Sequence, residues 1–439
     1  MKRFLMAIVG LFGCFFVLLL ILVLIGSRPG DAPPFSDKGQ ASIDISAQVA
    51  RGEYLAKLAN CVGCHTTQGG LPFVGGRILQ SEFGEFVTPN ITPDEQTGIG
   101  NWSVDDFWQA LHNGRGREGK LLYPAFPFTN YSLVNRADSD AMFAYFRSLR
   151  AIPNENQDHR LSFPANQRWL IGAWRTLFFR PQTFSFDEKK SKEWNRGAYL
   201  VEGLGHCSAC HSSRNFLGAN KGNRDFSGGE MPKIFWYAPA FANSLETNLA
   251  SASIVEVQTL LSAGLSSTNV VNGPMADVVK NSLQYLLPED SRAMAVYLKE
   301  LPQEAAVKPD VLDRALEKQG VSENQMNSLM ASGAKLYEKH CAECHGVDGE
   351  GVPLVYPKLK GNAAVLMSHQ GNALRIVLAG GFAPSTMANP RPYGMPPFAP
   401  ILSDAEIALV STYIRNAWGN RALPVLSSDV NPYRTAPQD

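Results

Sequence analysis

Six of the seven cysteines lie in three copies of one pattern, Cys-x-x-Cys followed directly by His. This pattern is the attachment signature of c-type haem, in which two thiols bond to one porphyrin and the adjoining imidazole ligates the iron. The chain is therefore predicted to hold three haem c groups covalently, through Cys61 and Cys64, Cys207 and Cys210, and Cys341 and Cys344. The predicted iron ligands that follow these pairs are His65, His211 and His345.

Other uses of the cysteine pairs fit their spacing less well. A structural zinc site closes with four ligands and usually combines two such pairs, whereas these copies lie more than a hundred residues apart. A disulfide does not require the following His, and no βαβ pattern typical of a thioredoxin-like redox site surrounds the pairs. With one redox centre in each copy, the chain is predicted to be an electron carrier.

Length and composition agree with that prediction. A chain of 439 residues corresponds to about three domains of roughly 100–200 residues each. The 40 basic residues balance the 40 acidic residues, so nothing indicates binding to nucleic acid. The 28 Pro and 38 Gly favour a loop-rich protein wrapped around cofactors over a helical bundle.

The N-terminal segment is predicted to cross a membrane. Residues Phe4 to Ile25 are apolar over 22 positions, enough for a helix that spans a hydrocarbon core of about 30 Å. Lys2 and Arg3 precede the segment and place the N-terminus in the cytoplasm. The haem domains are then predicted to lie in the periplasm, on the outer side of a bacterial inner membrane. A cleaved signal peptide is the alternative, but its apolar region is usually shorter and ends at an Ala-x-Ala-like site, so a retained anchor is favoured.

An internal repeat surrounds the three motifs. Before each motif a helix-like segment carries a glycine, 8 to 10 residues ahead of the first cysteine, and far downstream a second helical segment carries a tyrosine. We expect the small and the large residue to mark where two helices cross, which is the layout of a class I cytochrome c domain. The predicted fold is mainly α, with three tandem class I cytochrome c domains after one transmembrane helix. The glycines are Gly52, Gly197 and Gly333, and the tyrosines are Tyr145, Tyr297 and Tyr413.

The predicted boundaries follow from these repeats and from changes in composition. They are a transmembrane anchor 1–26, a linker 27–44, a first cytochrome domain 45–155, a linker or interface segment 156–193, a second domain 194–302, a linker 303–328, a third domain 329–420 and an extended tail 421–439.

Two methionines are predicted as the sixth ligands of haem iron. Met275 and Met395 each adjoin a proline in a loop shortly before the last helix of their repeat, and methionine is a common axial ligand in electron carriers. Core methionines that fill gaps are the alternative. Met231 and Met387 are weaker rivals because each lies further from the last helix.

The first repeat lacks this methionine. Phe126 stands at the corresponding place, and its side chain cannot bind iron. The other candidates are His112, at the end of an amphipathic segment, Met142, inside the last helix, and His159, near the following linker. His112 is the better alternative, and the site opposite His65 is otherwise predicted to lack a protein ligand.

These motifs together carry a family resemblance over nearly all of residues 49–418. The chain resembles the triheme cytochrome c subunit of membrane-bound bacterial alcohol dehydrogenases and the related subunits of gluconate and other sugar dehydrogenases. Besides the three haem motifs, the match lies in Thr88–Asp94, Leu122–Ala125, Tyr199–His206, Gly273–Ala276 and Gly394–Pro396. Methionine in place of Phe126 would complete three methionine-ligated haems, so this chain departs from the family there.

The resemblance implies a role as an electron-transfer subunit. A catalytic dehydrogenase subunit would oxidise an alcohol, sugar or aldehyde with its own cofactor, which is pyrroloquinoline quinone, flavin or a molybdenum cofactor. The electrons would pass through the three haems to ubiquinone or to a downstream cytochrome or oxidase. This chain has no nucleotide fingerprint and no nucleophile–base constellation. A stand-alone carrier to a terminal oxidase and a peroxidase that uses an open first haem are the alternatives.

One further segment, Trp169–Arg180, is apolar and contains two tryptophans and two arginines. Aromatic residues with cations at the edge suit a membrane interface. The alternative, which is favoured, is a segment buried between the first and second predicted domains.

Overall fold

The structure is a computed structural model that describes residues 1–30, 44–247, 249–302, 314, 316, 318 and 320–436. It is mainly helical and begins with an apolar helix, as predicted. The greater part of the predicted linkers 27–44 and 303–328 lies outside the described residues. The chain forms two compact units, one made of residues 1–188, 199–209 and 214–224, the other of residues 189–198 and 210–213 and the described part of 225–439.

The helices up to residue 180 begin with a long apolar helix and continue with the helices around the first haem motif. They are α1 Lys2–Gly26, α2 Ile45–Leu58, α3 Cys61–Cys64, α4 Val104–Asn113, α5 Phe128–Tyr131, α6 Arg136–Ser148 and α7 Leu170–Phe178. A three-stranded antiparallel sheet joins β1 Ile78–Ser81, β2 Gly84–Val87 and β3 Arg160–Leu161 in that order.

The later helices include one that changes its winding, because α8 Lys192–Ala198 continues as a π-helical stretch over Tyr199–Leu204. The others are α9 Ser208–His211, α10 Ile254–Ala263, α11 Pro274–Asn281, α12 Pro288–Lys299, α13 Glu323–His340, α14 Ala342–His345, α15 Ala363–Leu366, α16 Gly371–Ala379, α17 Asp404–Asn416 and α18 Ser427–Arg434. Two short antiparallel pairs join β4 Gly229–Met231 to β5 Trp236–Ala238, and β6 Gly381–Phe382 to β7 Gly394–Met395.

Local sequence signals explain several helix ends. Ser103 and Asp106 form a reciprocal capping box at the start of α4, and Ser403 and Glu406 do the same for α17. These side chains satisfy backbone N–H groups that have no partner within the helix. Gly114 ends α4 with φ +57°, a left-handed conformation that glycine adopts without a steric penalty.

The predicted crossing of a glycine helix with a tyrosine helix is confirmed three times. A Cβ atom on Gly52 would lie 1.9 Å from the carbonyl oxygen of Ala141, one turn before Tyr145. The same contact joins α8 to α12 and α13 to α17. A Cβ atom would lie 2.0 Å from the Ala293 oxygen at Gly197, and 2.3 Å from the Leu409 oxygen at Gly333. Only glycine allows the two backbones to approach this closely.

The predicted extended tail is wrong for residues 427–434, which form α18. Arg434 of this helix donates to Asp404 of α17 and to the carbonyl oxygen of Ala399, and Val430 is fully buried. Composition suggested an extended tail because the helix contains Pro432 and lacks apolar periodicity. Its contacts with α17 outweigh these weak local preferences.

Candidate functional site

Each predicted iron-binding histidine is held by a proline carbonyl. In all three motifs the ring Nδ1 lies within hydrogen-bond distance of a backbone oxygen that comes 12 to 28 residues later in the chain. The bonds join His65 to Pro89 over 2.7 Å, His211 to Pro239 over 2.7 Å and His345 to Pro357 over 2.9 Å.

This bond fixes which ring nitrogen is free. A carbonyl oxygen only accepts, so Nδ1 carries the proton and donates it, and the lone pair remains on Nε2. Burial lowers the pKa of all three histidines, for His211 to about 4. A neutral imidazole with an oriented Nε2 is the form that binds a metal, and a second-shell carbonyl is its usual support.

The paired cysteines are free of disulfides and suit covalent attachment. Burial, and after it the neighbouring thiol of the pair, raises the pKa of Cys61 to about 12 and that of Cys341 to about 11. The thiols of Cys61 and Cys341 therefore remain uncharged at neutral pH. A thioether to a porphyrin would consume each thiol without placing a charge in this apolar environment.

The third motif lies beside a cavity of about 280 Å³. Cys341, Cys344 and His345 line it, and Met395 lines the same cavity. The remaining lining is largely apolar and includes Leu265, Val270, Ile376 and Phe398. Two thiols, one imidazole and one thioether around an apolar space are the donor set of a c-type haem with His and Met ligands, so these residues fit that group.

The loop that carries Met395 is held in place by a short strand pair. Met395 pairs with Gly381 across β6 and β7. Gly380 has φ +70°, and a Cβ atom there would lie 2.4 Å from the carbonyl oxygen of Met395. The loop therefore depends on glycine for its close approach. The rival Met387 is 72% exposed and does not line the cavity.

Met275 occupies the first turn of α11 and is half-buried. It follows Gly273, which has φ +54° and whose Cβ atom would lie 2.4 Å from the indole of Trp236. Proline at the first helical position, Pro274, needs no backbone donor there. Glycine and proline thus fix where Met275 leaves the loop, and its role as an iron ligand stays a prediction.

Around the first motif, an aromatic pair stands where the other repeats carry methionine. Phe126 lies 5.4 Å, ring centre to ring centre, from the buried Tyr131. The Tyr131 hydroxyl donates to the carbonyl oxygen of Ala59 over 2.8 Å. Burial, followed by the thiols of Cys61 and Cys64, raises the pKa of Tyr131 well above its usual value. Tyr131 therefore interacts both with Phe126 and with the thiols of the cysteine pair.

The other candidates for the first site have partners of their own. His112 is buried, stacks on Trp108 at 4.2 Å and donates from Nδ1 to the carbonyl oxygen of Ser132 over 2.8 Å. Met142 is 1% exposed within α6, and the Nδ1 of His159 accepts from the Val87 N–H over 3.2 Å. His112 as a sixth ligand stays a prediction.

Sequence reasoning missed the three proline carbonyls that orient the histidines. A backbone oxygen can come from any residue, so residue type alone does not mark it. The signal that was present is a proline at a variable distance after each motif, at Pro89, Pro239 and Pro357.

Comparison with known proteins agrees with the predicted binding of haem c by this chain. The cytochrome c family model matches residues 330–418. The chain is 36% identical over 402 residues to the cytochrome c subunit of a quinone alcohol dehydrogenase from Gluconobacter oxydans. The aligned residues cover 89% of this chain and 82% of the Gluconobacter subunit. It is 35% identical over 408 residues to a gluconate 2-dehydrogenase cytochrome c subunit from Pantoea cypripedii, covering 88% and 90%.

A third relative differs in length. One of the subunits of a nicotinate dehydrogenase from Pseudomonas putida is 37% identical over 398 residues, which are 88% of this chain and 32% of that protein. The similarity to all three relatives extends far beyond the part that the family model matches.

Proposed function

Because this chain belongs to the family of cytochrome c subunits of dehydrogenases, we propose that it is the electron-transfer subunit of such a complex, with one haem c at each of its three motifs. The supporting observation is the orientation of His65, His211 and His345, each with Nδ1 donating to a proline carbonyl and Nε2 left free. A bound haem supplies one-electron redox chemistry.

The residues of the second and third motifs have distinct tasks. The cysteine pairs would hold the group covalently, and the histidines would each supply a nitrogen ligand. Met275 and Met395 would supply a sulfur ligand, and such a ligand raises the reduction potential relative to a second histidine. Apolar residues such as Leu265 and Val270 exclude water from the third site. Three similar domains, each built on a glycine–tyrosine helix crossing, carry these residues.

The first motif has a different ligand set. Phe126 offers no lone pair, and the Nδ1 of His112 donates to the carbonyl oxygen of Ser132, so that only its Nε2 could bind iron. We propose that His65 has no methionine partner here. Its electronic properties would then differ from those of the other two sites.

The complex would lie at the bacterial inner membrane. Among the described residues, α1 is the one helix long and apolar enough to cross a membrane. The haem domains would lie in the periplasm, where a dehydrogenase subunit delivers electrons from an alcohol, sugar or aldehyde. Ubiquinone is the proposed acceptor. The partner's own cofactor would be pyrroloquinoline quinone, flavin or a molybdenum cofactor.

Purification from detergent-solubilised membranes tests this proposal. The haem content, measured as the pyridine haemochrome per chain, should equal the three motifs. The double variant Cys341→Ser/Cys344→Ser should lose about one third of that content. A Cys14→Ser variant is the matched control, since Cys14 lies outside the motifs.

Mass spectrometry of the same preparation identifies the partner. A large dehydrogenase subunit should co-purify in a stable ratio, and its cofactor decides among the three partner types. A chain that purifies alone and reduces a terminal oxidase directly would replace the proposal with that of a stand-alone carrier. Catalytic consumption of peroxide would instead support a peroxidase.

A further inference from the structure

The C-terminal end of α1 is fixed to its unit by two buried arginines. Arg175 donates from Nε to the carbonyl oxygen of Gly26 over 3.1 Å, and Arg115 donates to the carbonyl oxygens of Ser27, over 2.7 Å, and Arg28. The last carbonyls of a helix carry partial negative charge and lack partners within the helix. Arg175 satisfies the carbonyl of Gly26, and Arg115 binds the two carbonyls that follow the helix, so α1 leaves the unit at a defined place.

Helix α7 lies along the last turns of α1. The Thr176 hydroxyl donates to the carbonyl oxygen of Leu22 over 2.6 Å. A Cβ atom on Gly26 would lie 1.9 Å from the Gly172 oxygen, and one on Gly172 would lie 2.7 Å from the Val23 oxygen. Two glycines thus bring the backbones into contact, and α7 is held at the level of residues 22–26.

That level lies near the outer end of the span predicted for α1. The apolar part of α1 that precedes this contact runs from Phe4 to Ile21, which is 18 residues or about 27 Å of helix. A hydrocarbon core is about 30 Å thick. If these residues span the core, α7 lies in the interfacial layer just outside it.

The outer face of α7 is apolar where a water-facing helix would be polar. Trp169 is 50% exposed and Leu177 is 54% exposed, while Trp174 and Phe178 are half-buried with ring centres 5.7 Å apart. Phe216, next to the residue whose carbonyl accepts the Trp174 indole N–H, is 86% exposed. An apolar helix that buries its other face in the protein needs a second apolar partner.

The charges around this face suit phospholipid headgroups. No acidic residue occurs from His159 to Phe186, and Arg168 and Arg180 flank the helix. Tryptophan and arginine at the edge of an apolar surface are typical of segments that lie in the headgroup region.

We propose that α7 is an interfacial helix whose outer face, formed by Trp169, Trp174, Leu177 and Phe178, inserts between the lipid headgroups beside the transmembrane helix. The inference rests on the proposed membrane anchor. Its consequence is a second attachment to the bilayer, which holds the first haem motif at the membrane surface, whereas a single helix would leave the domain free to tilt.

Spin labelling tests the proposal on the full-length protein with its haems oxidised, a state that oxygen does not change, in nanodiscs of phosphatidylglycerol and phosphatidylcholine. In a Cys14→Ser background, the substitutions Leu177→Cys, Phe12→Cys and Gln96→Cys place one label each on α7, in the middle of α1 and on an exposed loop. Power saturation compares collisions with oxygen, which concentrates in lipid, and with a water-soluble nickel chelate. The oxygen-to-nickel ratio at 177 should exceed that at 96 several-fold and lie below that at 12.

The three labels separate the possible failures. A lipid signal at 12 with a water-like ratio at 177 overturns the interfacial helix and leaves the anchor intact. A label at 177 that neither reagent reaches shows that a protein partner covers this face, which also overturns the proposal. A water-like ratio at 12 refutes the anchor itself. The variant Trp169→Ser/Leu177→Ser should broaden the distribution of orientations that the unit adopts in oriented bilayers. An unchanged distribution contradicts the second attachment.

Discussion

The regions around the first and third haem motifs share their frame and differ in the residue at the predicted sixth-ligand position. In both, a glycine of the leading helix meets a carbonyl of the last helix, and a proline carbonyl accepts from the predicted iron-binding histidine. In the third region Met395 completes the lining of the cavity. In the first region the corresponding residue is Phe126, beside Tyr131.

This difference distinguishes the parts of the domain that are set by backbone contacts from the position of the predicted sixth ligand. The helix crossing and the histidine orientation are set by backbone contacts, which tolerate little change. The predicted sixth-ligand position lies outside the crossing helices, where a different side chain is accepted without loss of the frame. If the three motifs bind haem as proposed, one scaffold holds redox sites of different ligation within a single chain.

The shared frame gives the largest expected effect. Alanine normally stabilises a helix interior by about 1 kcal/mol relative to glycine. At Gly52 or Gly333 the added Cβ atom meets a carbonyl oxygen, so Gly52→Ala and Gly333→Ala should instead destabilise by about 3 kcal/mol. Thermal unfolding of the holoprotein, followed in the Soret band, measures the loss.

The neighbouring substitution Ser332→Ala is the matched control, because Ser332 is exposed on the same helix. It should leave the unfolding temperature nearly unchanged. A Gly333→Ala protein as stable as its parent would show that the helices can separate without cost.

The difference between Phe126 and Met395 at the predicted sixth-ligand position gives the second-largest expected effect, which is spectroscopic. Phe126→Met adds a sulfur to the first site and Met395→Phe removes one from the third. If Met275 and Met395 are the native sulfur ligands, the near-infrared charge-transfer band of methionine-ligated ferric haem should rise by about half in the first variant and fall by about half in the second.

Carbon monoxide binding to the reduced protein provides the complementary measurement. The parent should bind it at one site, the Phe126→Met variant at none and the Met395→Phe variant at two. His112→Ala distinguishes the remaining ligand hypothesis, since a new carbon monoxide site in that variant would show that His112 binds iron in the parent.

The long apolar N-terminal helix and the crossing glycines could be predicted from the sequence, because each depends on residue type at a fixed local spacing. The roles of the motif cysteines and histidines stay predictions. Three features could not be predicted. The carbonyl of Pro89 is backbone and carries no type signal. The contact of Gly172 with Gly26 joins segments more than a hundred residues apart. The helix Ser427–Arg434 is stabilised by contacts with α17 and has weak propensity of its own.

The two regions also differ in how acidic residues near the start of the last helix are used, and this gives a smaller effect. Asp138 is 1% exposed and accepts from Arg51 of the leading helix over 2.9 Å and from the Tyr199 hydroxyl over 2.6 Å. Asp138→Asn should destabilise the first region by about 2 kcal/mol, because a buried charged acceptor loses bonds to a cation and a hydroxyl. Hydrogen exchange of α2 and α6 measures it, and Asp158→Asn is the control, because Asp158 is exposed and lies outside both helices. Equal exchange in both variants would contradict a special role for Asp138.

In the third region Asp404, the first residue of the last helix, stabilises the C-terminal helix α18 instead, and the expected effect is the smallest of those considered. The bond from Arg434 is the main cause that lowers the pKa of Asp404 below its usual value. A lowered pKa in the folded state means that the ionised form stabilises the fold, so the contribution is complete above about pH 4 and is lost as the pH falls through the folded pKa. It amounts to no more than about 1 kcal/mol for a partly exposed pair. The protection of residues 427–434 against hydrogen exchange, corrected for the intrinsic rate at each pH, should therefore fall below about pH 4 in the parent. In Asp404→Asn this protection should already be low at neutral pH and respond little to acid, and an unchanged acid response in that variant would assign the transition to another carboxylate.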